Sequence, residues 1–118
     1  MSSQLVSIAG TDMPVIEYRD QRIITLHMMD VVHERPQGTA KRNFKQHQDK
    51  FVQNNDYEVL TDKDLGNFLV HFASTKNVLA KSDNPSKVRR LIVLYPMGYL
   101  MLVKSFRDDK AWQVQREL

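Results

Sequence analysis

The stretch ERPQGTAKRNFKQHQDKF, Glu34 to Phe51, decides how this chain is read. Pro36 disfavours helical geometry at Arg35, so a helix arriving from the N-terminal side must stop by that residue. Gly38 closes the turn, and Thr39 is a good N-cap for a new helix running to about Asn54. Along it Ala40, Phe44, Phe51 and Val52 fall at i, i+4, i+11 and i+12, an apolar stripe that leaves the opposite face to water. Lys41, Arg42, Lys45, Gln46, Gln48 and Asp49 project outward, with Asn43 near the edge. Such a face is either a solvated surface or a binding surface.

Upstream, Pro14–Tyr18 and Arg22–Leu26 are short β-branched runs joined by Arg19, Asp20 and Gln21, which reads as a hairpin. Thr25 can cap a helix from about Leu26 to His33, with Met28, Met29, Val31 and Val32 on one side. Downstream, the Asn54-Asn55-Asp56 turn leads into a strand over Tyr57–Leu60 and a helix from Asp62 or Asp64 to about Phe72. Residues 73–87 show no clear period and read as a mobile loop. Arg89–Leu94 reads as a buried strand, Pro96 opens a helix to about Phe106, and Asp108 caps a last helix carrying Ala111, Val114 and Leu118 on one face. That pattern stops without a terminating Gly, Asn or Pro, so the natural protein is expected to continue beyond Leu118. The expected class is α+β, a small N-terminal hairpin or sheet packed with several short helices around a helix-turn-helix-like core. The 118 residues fit a single domain, with residues 1–12 as a flexible lead-in.

Composition narrows the function classes. Hydrophobic residues make up 42% and charged residues 26%, ordinary globular usage. The absence of cysteine excludes disulfides, thiol catalysis and cysteine-based metal sites. The N-terminus has no secretory pattern, and the most apolar run, Leu91–Val103, is interrupted by Pro96 and Gly98, so no membrane association is expected. His27, His33, His47 and His71 lack metal-ligand spacing. Without a phosphate loop, a nucleophile elbow or paired carboxylates in an evident pocket, neither an enzyme nor a cofactor is expected.

The net charge is +3, and the cations are segregated. Arg35, Lys41, Arg42, Lys45 and Lys50 stand against Asp49, while Lys76, Lys81, Lys87, Arg89 and Arg90 stand against Asp83. An α-helix fits the major groove, where Arg or Lys pairs with guanine and Asn or Gln with adenine. Lys41, Arg42, Lys45 and Gln46 occupy the first turns of such a helix, and Asn43 is ambiguous between base contact and a supporting role. A Gly-Thr helix N-terminus favours phosphate through its free amides and dipole. The candidate DNA-binding residues are therefore Arg35, Thr39, Lys41, Arg42, Asn43, Lys45 and Gln46, with Arg89 and Arg90 as phosphate contacts or simply a solvated strand entry. Arg19, Gln21 and Arg22 could form a wing, but plain surface is the preferred reading.

At VVHERPQGTAKRNF (Val31–Phe44), NNDYEVL (Asn54–Leu60) and GYLMLVKSFRDDKAWQVQREL (Gly98–Leu118) the chain resembles the N-terminal domain of phage antirepressor proteins. These form the ORF-six-N branch of the KilA-N and Bro-N superfamily of bacteriophages, prophages and large DNA viruses. The likeness runs from about Met13 to the end; residues 65–89 depart from it. It implies an α+β module that binds double-stranded DNA at the front of a longer regulatory protein, acting in the cytoplasm of a bacterial host. It marks His33, Arg35, Pro36, Gly38 and Thr39 in the turn and Gly98, Tyr99 and Lys104 further on; most of the second set is apolar or Gly at helical spacing and is read as packing. The second reading is a protein-interaction module that binds a phage repressor and relieves repression. The basic, amide-rich face favours DNA over a protein hot spot, which would want exposed aromatics. Dimerisation is left open.

Overall fold

A computed structural model describes residues 5–8, 11–75, 77–80 and 84–104. A hairpin of β1 (Leu5–Ile8) and β2 (Thr11–Pro14) precedes a four-stranded antiparallel sheet. In it β3 (Ile16–Tyr18), β4 (Gln21–Thr25), β5 (Tyr57–Thr61) and β6 (Arg90–Leu94) take the order β3-β4-β6-β5. Helices α1 (Leu26–Val32), α2 (Thr39–Gln46), α3 (Asp62–Phe72) and α4 (Pro96–Val103) complete the domain. The α+β expectation holds. Residues 5–8 and 11–12, expected within a flexible lead-in, instead pair as β1 and the start of β2, whereas the expected last helix from Asp108 lies outside the described residues.

Local chemistry explains most boundaries. Tyr18 pairs with Gln21, leaving Arg19 and Asp20 as a two-residue loop with φ of 53° and 64°. Positive φ at both positions suits the right-handed twist of a hairpin. Thr25 Oγ1 accepts from Met28 N at 3.1 Å, capping α1 as expected, and donates to Val78 O at 2.7 Å. That second bond ties down the connection after α3, where Val78 is fully buried and Ala80 nearly so. This part of the expected mobile loop is therefore core. Pro96 is the first residue of α4, where a missing amide proton is harmless.

The α2 boundary differs from expectation: the helix ends at Gln46, and a 3₁₀ turn follows over Gln48–Lys50. Phe44 and Phe51 explain the break, since their ring centroids lie 5.0 Å apart. In a continuous helix seven residues advance about 10.5 Å, so the chain must fold back to bring Phe51 onto Phe44. Tyr57 completes the aromatic cluster at 5.0 Å from Phe44. Val52, expected on the apolar stripe, is consequently turned out to water at 56% exposure.

Two buried carboxylates bind the sheet to its neighbours. Glu58 accepts from Tyr95 Oη at 3.1 Å and pairs with Arg19 at 3.4 Å, and burial with that carboxylate pushes the Tyr95 phenol up to about 12. Asp56 accepts from Val52 N through its side chain at 2.8 Å and from Tyr95 N through its carbonyl at 3.0 Å. Gly98 sits against that same carbonyl: a Cβ there would lie 1.8 Å from Asp56 O. Gly98→Ala should thus destabilise the fold by about 3 kcal/mol or more, because the added Cβ meets a backbone carbonyl that has no rotamer to move to. Gly66→Ala in α3, where a Cβ meets nothing within 4 Å, should stabilise by roughly 0.5–1 kcal/mol. Thermal melting of the two variants checks both signs.

Candidate nucleic-acid interface

The interface is built on how α2 begins. Helix α1 ends with His33 as C-cap and Glu34 left-handed at φ 56°. Glu34 N donates to Val31 O and Arg35 N to Asp30 O, the paired bonds of a Schellman ending. The connection 33–38 is longer than the three or four residues of a strict helix-turn-helix, as its sequence suggested. Gly38, at φ 93°, takes the cap position in a left-handed conformation that favours glycine.

Thr39 is the first helical residue rather than the N-cap, and its hydroxyl donates to Pro36 O at 2.7 Å. The capping carboxylate comes from the previous helix. Asp30, 2% exposed, accepts from Gly38 N at 3.0 Å and from Ala40 N at 2.8 Å. With Thr39 N donating to Pro36 O, the amides of Gly38, Thr39 and Ala40 already have partners. An anion held at α2 therefore cannot draw on those three amides. Burial pushes the Asp30 carboxyl above its ordinary value, against the two amide bonds and the charges of His27 and Arg42.

The inner face of α2 is anchored by Ala40 and Phe44, both fully buried. Lys41, Lys45, Arg42 and Gln46 follow one another across roughly 140° of the outer face, with Asn43 half-buried at its far edge. This face is a ridge between two hollows. On one side a cleft of about 370 Å³ is lined by Lys41 and Lys45 from α2, by Arg90 from β6, and by His27, Gln37 and Gln48. It opens because β4 pairs only with Val93 and Leu94 and then turns into α1, leaving Arg90–Ile92 without β4 alongside. On the other side Asn43 and Gln46 line a wider hollow against α4.

The structure thus joins Lys41, Lys45 and Arg90 across one cleft, sets Arg42 on the crest, and turns Asn43 and Gln46 towards the opposite flank. Arg89 is exposed just before β6, and Arg35 is half-buried in the turn. The Arg19–Glu58 ion pair does not involve the cations of α2 or Arg90, which form no salt bridge among the described residues, although buried Asp30 lines the same cleft and the Arg42 charge acts on its carboxyl. Arg19 also stacks over Tyr18 at 5.3 Å, which commits the hairpin tip to the fold. Sequence reasoning missed Asp30: it lies eight and ten residues from the amides it caps, beyond the range of any local capping pattern. Among the described residues no group of three His, Asp or Glu side chains could hold a metal ion, and no helix is long and apolar enough to cross a membrane.

The architecture defines a small α+β module that presents one short basic helix as a ridge. The chain belongs to the ORF6N domain family, which matches residues 13–105 and forms part of the KilA-N and Bro-N phage antirepressor-type group. Comparisons with curated proteins and with solved structures return no match.

Asp30→Ala should lower stability by about 2 kcal/mol, since it strips an accepting carboxylate from two amides at a buried helix start. Asp30→Asn, which keeps one accepting oxygen, should lose less. The pH dependence has a definite sign: with its folded pKa raised, Asp30 binds its proton more tightly in the folded state. Its contribution to stability is greatest below the ordinary carboxylate value of 3.8 and declines as pH rises through the raised one. Urea unfolding of wild type and Asp30→Asn across that interval should show the wild type losing ground as pH rises.

Proposed function

We propose that this domain is the duplex-DNA-binding module of a phage or prophage regulatory protein of antirepressor type, with α2 entering the major groove. The observation that carries the reading is the α2 ridge itself, whose exposed Lys41, Arg42, Lys45 and Gln46 stand between two hollows and form no salt bridge among the described residues. A helix about 10–12 Å across matches the major groove, roughly 12 Å wide. Lys41, Lys45 and Arg90 neutralise phosphates on one flank, and Arg35 and Arg89 lie near enough in sequence to extend that contact. Arg42, Asn43 and Gln46 offer donors to base edges. Thr39 spaces the helix start from the turn rather than binding phosphate, because its amide and hydroxyl both serve Pro36.

A repressor-binding surface finds less support. Interface hot spots favour aromatic anchors, yet Phe44 and Phe51 are both buried. The domain works in this reading without cofactor or catalysis, in the host cytoplasm, as the DNA-facing part of a regulator.

Fluorescence anisotropy of a labelled 20-base-pair duplex, titrated at several salt concentrations, tests the proposal. Wild type should bind more weakly as salt rises. The triple variant Lys41→Ala, Arg42→Ala, Lys45→Ala should flatten the log-log salt slope by about 1.8, at 0.9 for each of the two phosphate-facing lysines, and should also lose base discrimination through Arg42. Failure of wild type to bind at low salt would remove the DNA reading and turn the search to a protein partner.

A further inference from the structure

We infer that Lys50 and Lys104 form a second phosphate-binding strip, on the flank of α2 opposite Arg90, so that the domain grips both backbones bordering the major groove. The inference rests on the DNA reading above and extends it to residues outside the α2 face. Lys50 closes the 3₁₀ turn after α2, and Lys104 is the C-cap of α4. They are far apart in sequence, yet both are exposed and both line the hollow of about 680 Å³ between α2 and α4. No acidic side chain lines it, and neither lysine has an ion-pair partner among the described residues.

The geometry follows from the duplex. A helix seated in the major groove has a phosphate strand along each side, and phosphate contacts fix its register while base edges are read. Cations on the Arg90 side alone would draw α2 towards one strand. Lys50 and Lys104 supply the opposing pull, beside the edge where Asn43 and Gln46 stand. The break that ends α2 at Gln46 matters here. A helix continued to residue 54 would carry Lys50 onwards along its axis, whereas the turn brings it back beside Phe51 and the end of α4. Lys104 also has a purely structural reading, since a lysine at a helix C-terminus favours the exposed carbonyls and the dipole there. The two roles differ in what they move: helix capping changes the melting temperature, and phosphate binding changes the salt dependence.

The test is anisotropy of the same labelled 20-base-pair duplex with the Lys50→Ala, Lys104→Ala double variant and its Arg, Arg counterpart, each also melted by circular dichroism. The Ala pair should reduce the log-log salt slope by about 1.8, at 0.9 for each phosphate contact, and the Arg pair should retain the wild-type slope. A wild-type slope in the Ala pair, with duplex binding intact, overturns the second strip and leaves the DNA reading standing. A lowered melting temperature with an unchanged slope overturns it too, by making Lys104 a helix cap alone. Failure of wild type to bind duplex removes both.

Discussion

One aspartate holds the basic helix of this domain in place. Asp30 accepts Arg35 N through its main-chain carbonyl and Gly38 N and Ala40 N through its carboxylate, so three amides of the turn converge on a single buried residue. An isolated helix of eight residues is not stable in water. Helix α2 exists because Asp30 fixes where it starts and Phe44 fixes which face is inside. The direction in which Lys41, Arg42 and Lys45 point is thereby inherited from α1.

The remainder of the fold carries α1 and α2 at a set distance from the sheet. His33, at the end of α1, bonds Tyr99 of α4 at 2.7 Å with their rings stacked at 5.8 Å. Thr25 links the start of α1 to the chain at Val78. Gly98 lets α4 press directly on Asp56, whose side chain orders the turn before β5. Each of these contacts joins an element to one distant in sequence. Together they turn a helix that could not stand alone into a rigid projection.

Much of this was legible wherever a local rule applies. The hairpin, the Thr25 cap, β5, α3, β6 and the Pro96 helix start all follow from neighbouring residues, and the structure places them close to where the sequence does. The errors fall where a distant group prevails. Thr39 has the chemistry of an N-cap, but Asp30 reaches the amides first. The apolar stripe ending in Phe51 and Val52 has helical spacing, but stacking of Phe51 on Phe44 breaks the helix and exposes Val52. The candidate site divides in the same way. That α2 carries an outward basic face was readable from spacing; that Arg90 shares its cleft, and that Asn43 and Gln46 face the other flank, depends on how β6 and α4 lie beside it.

The eight residues of α2 divide their tasks cleanly. Ala40 and Phe44 are committed to the interior, while Lys41, Arg42, Lys45 and Gln46 are exposed and form no ion pair among the described residues. Surface substitutions of that kind usually change stability by no more than about 0.5 kcal/mol. The outward letters of this helix can therefore be rewritten while its frame persists. A lineage carrying such a domain could acquire new preferences one side chain at a time, without passing through an unfolded intermediate sequence.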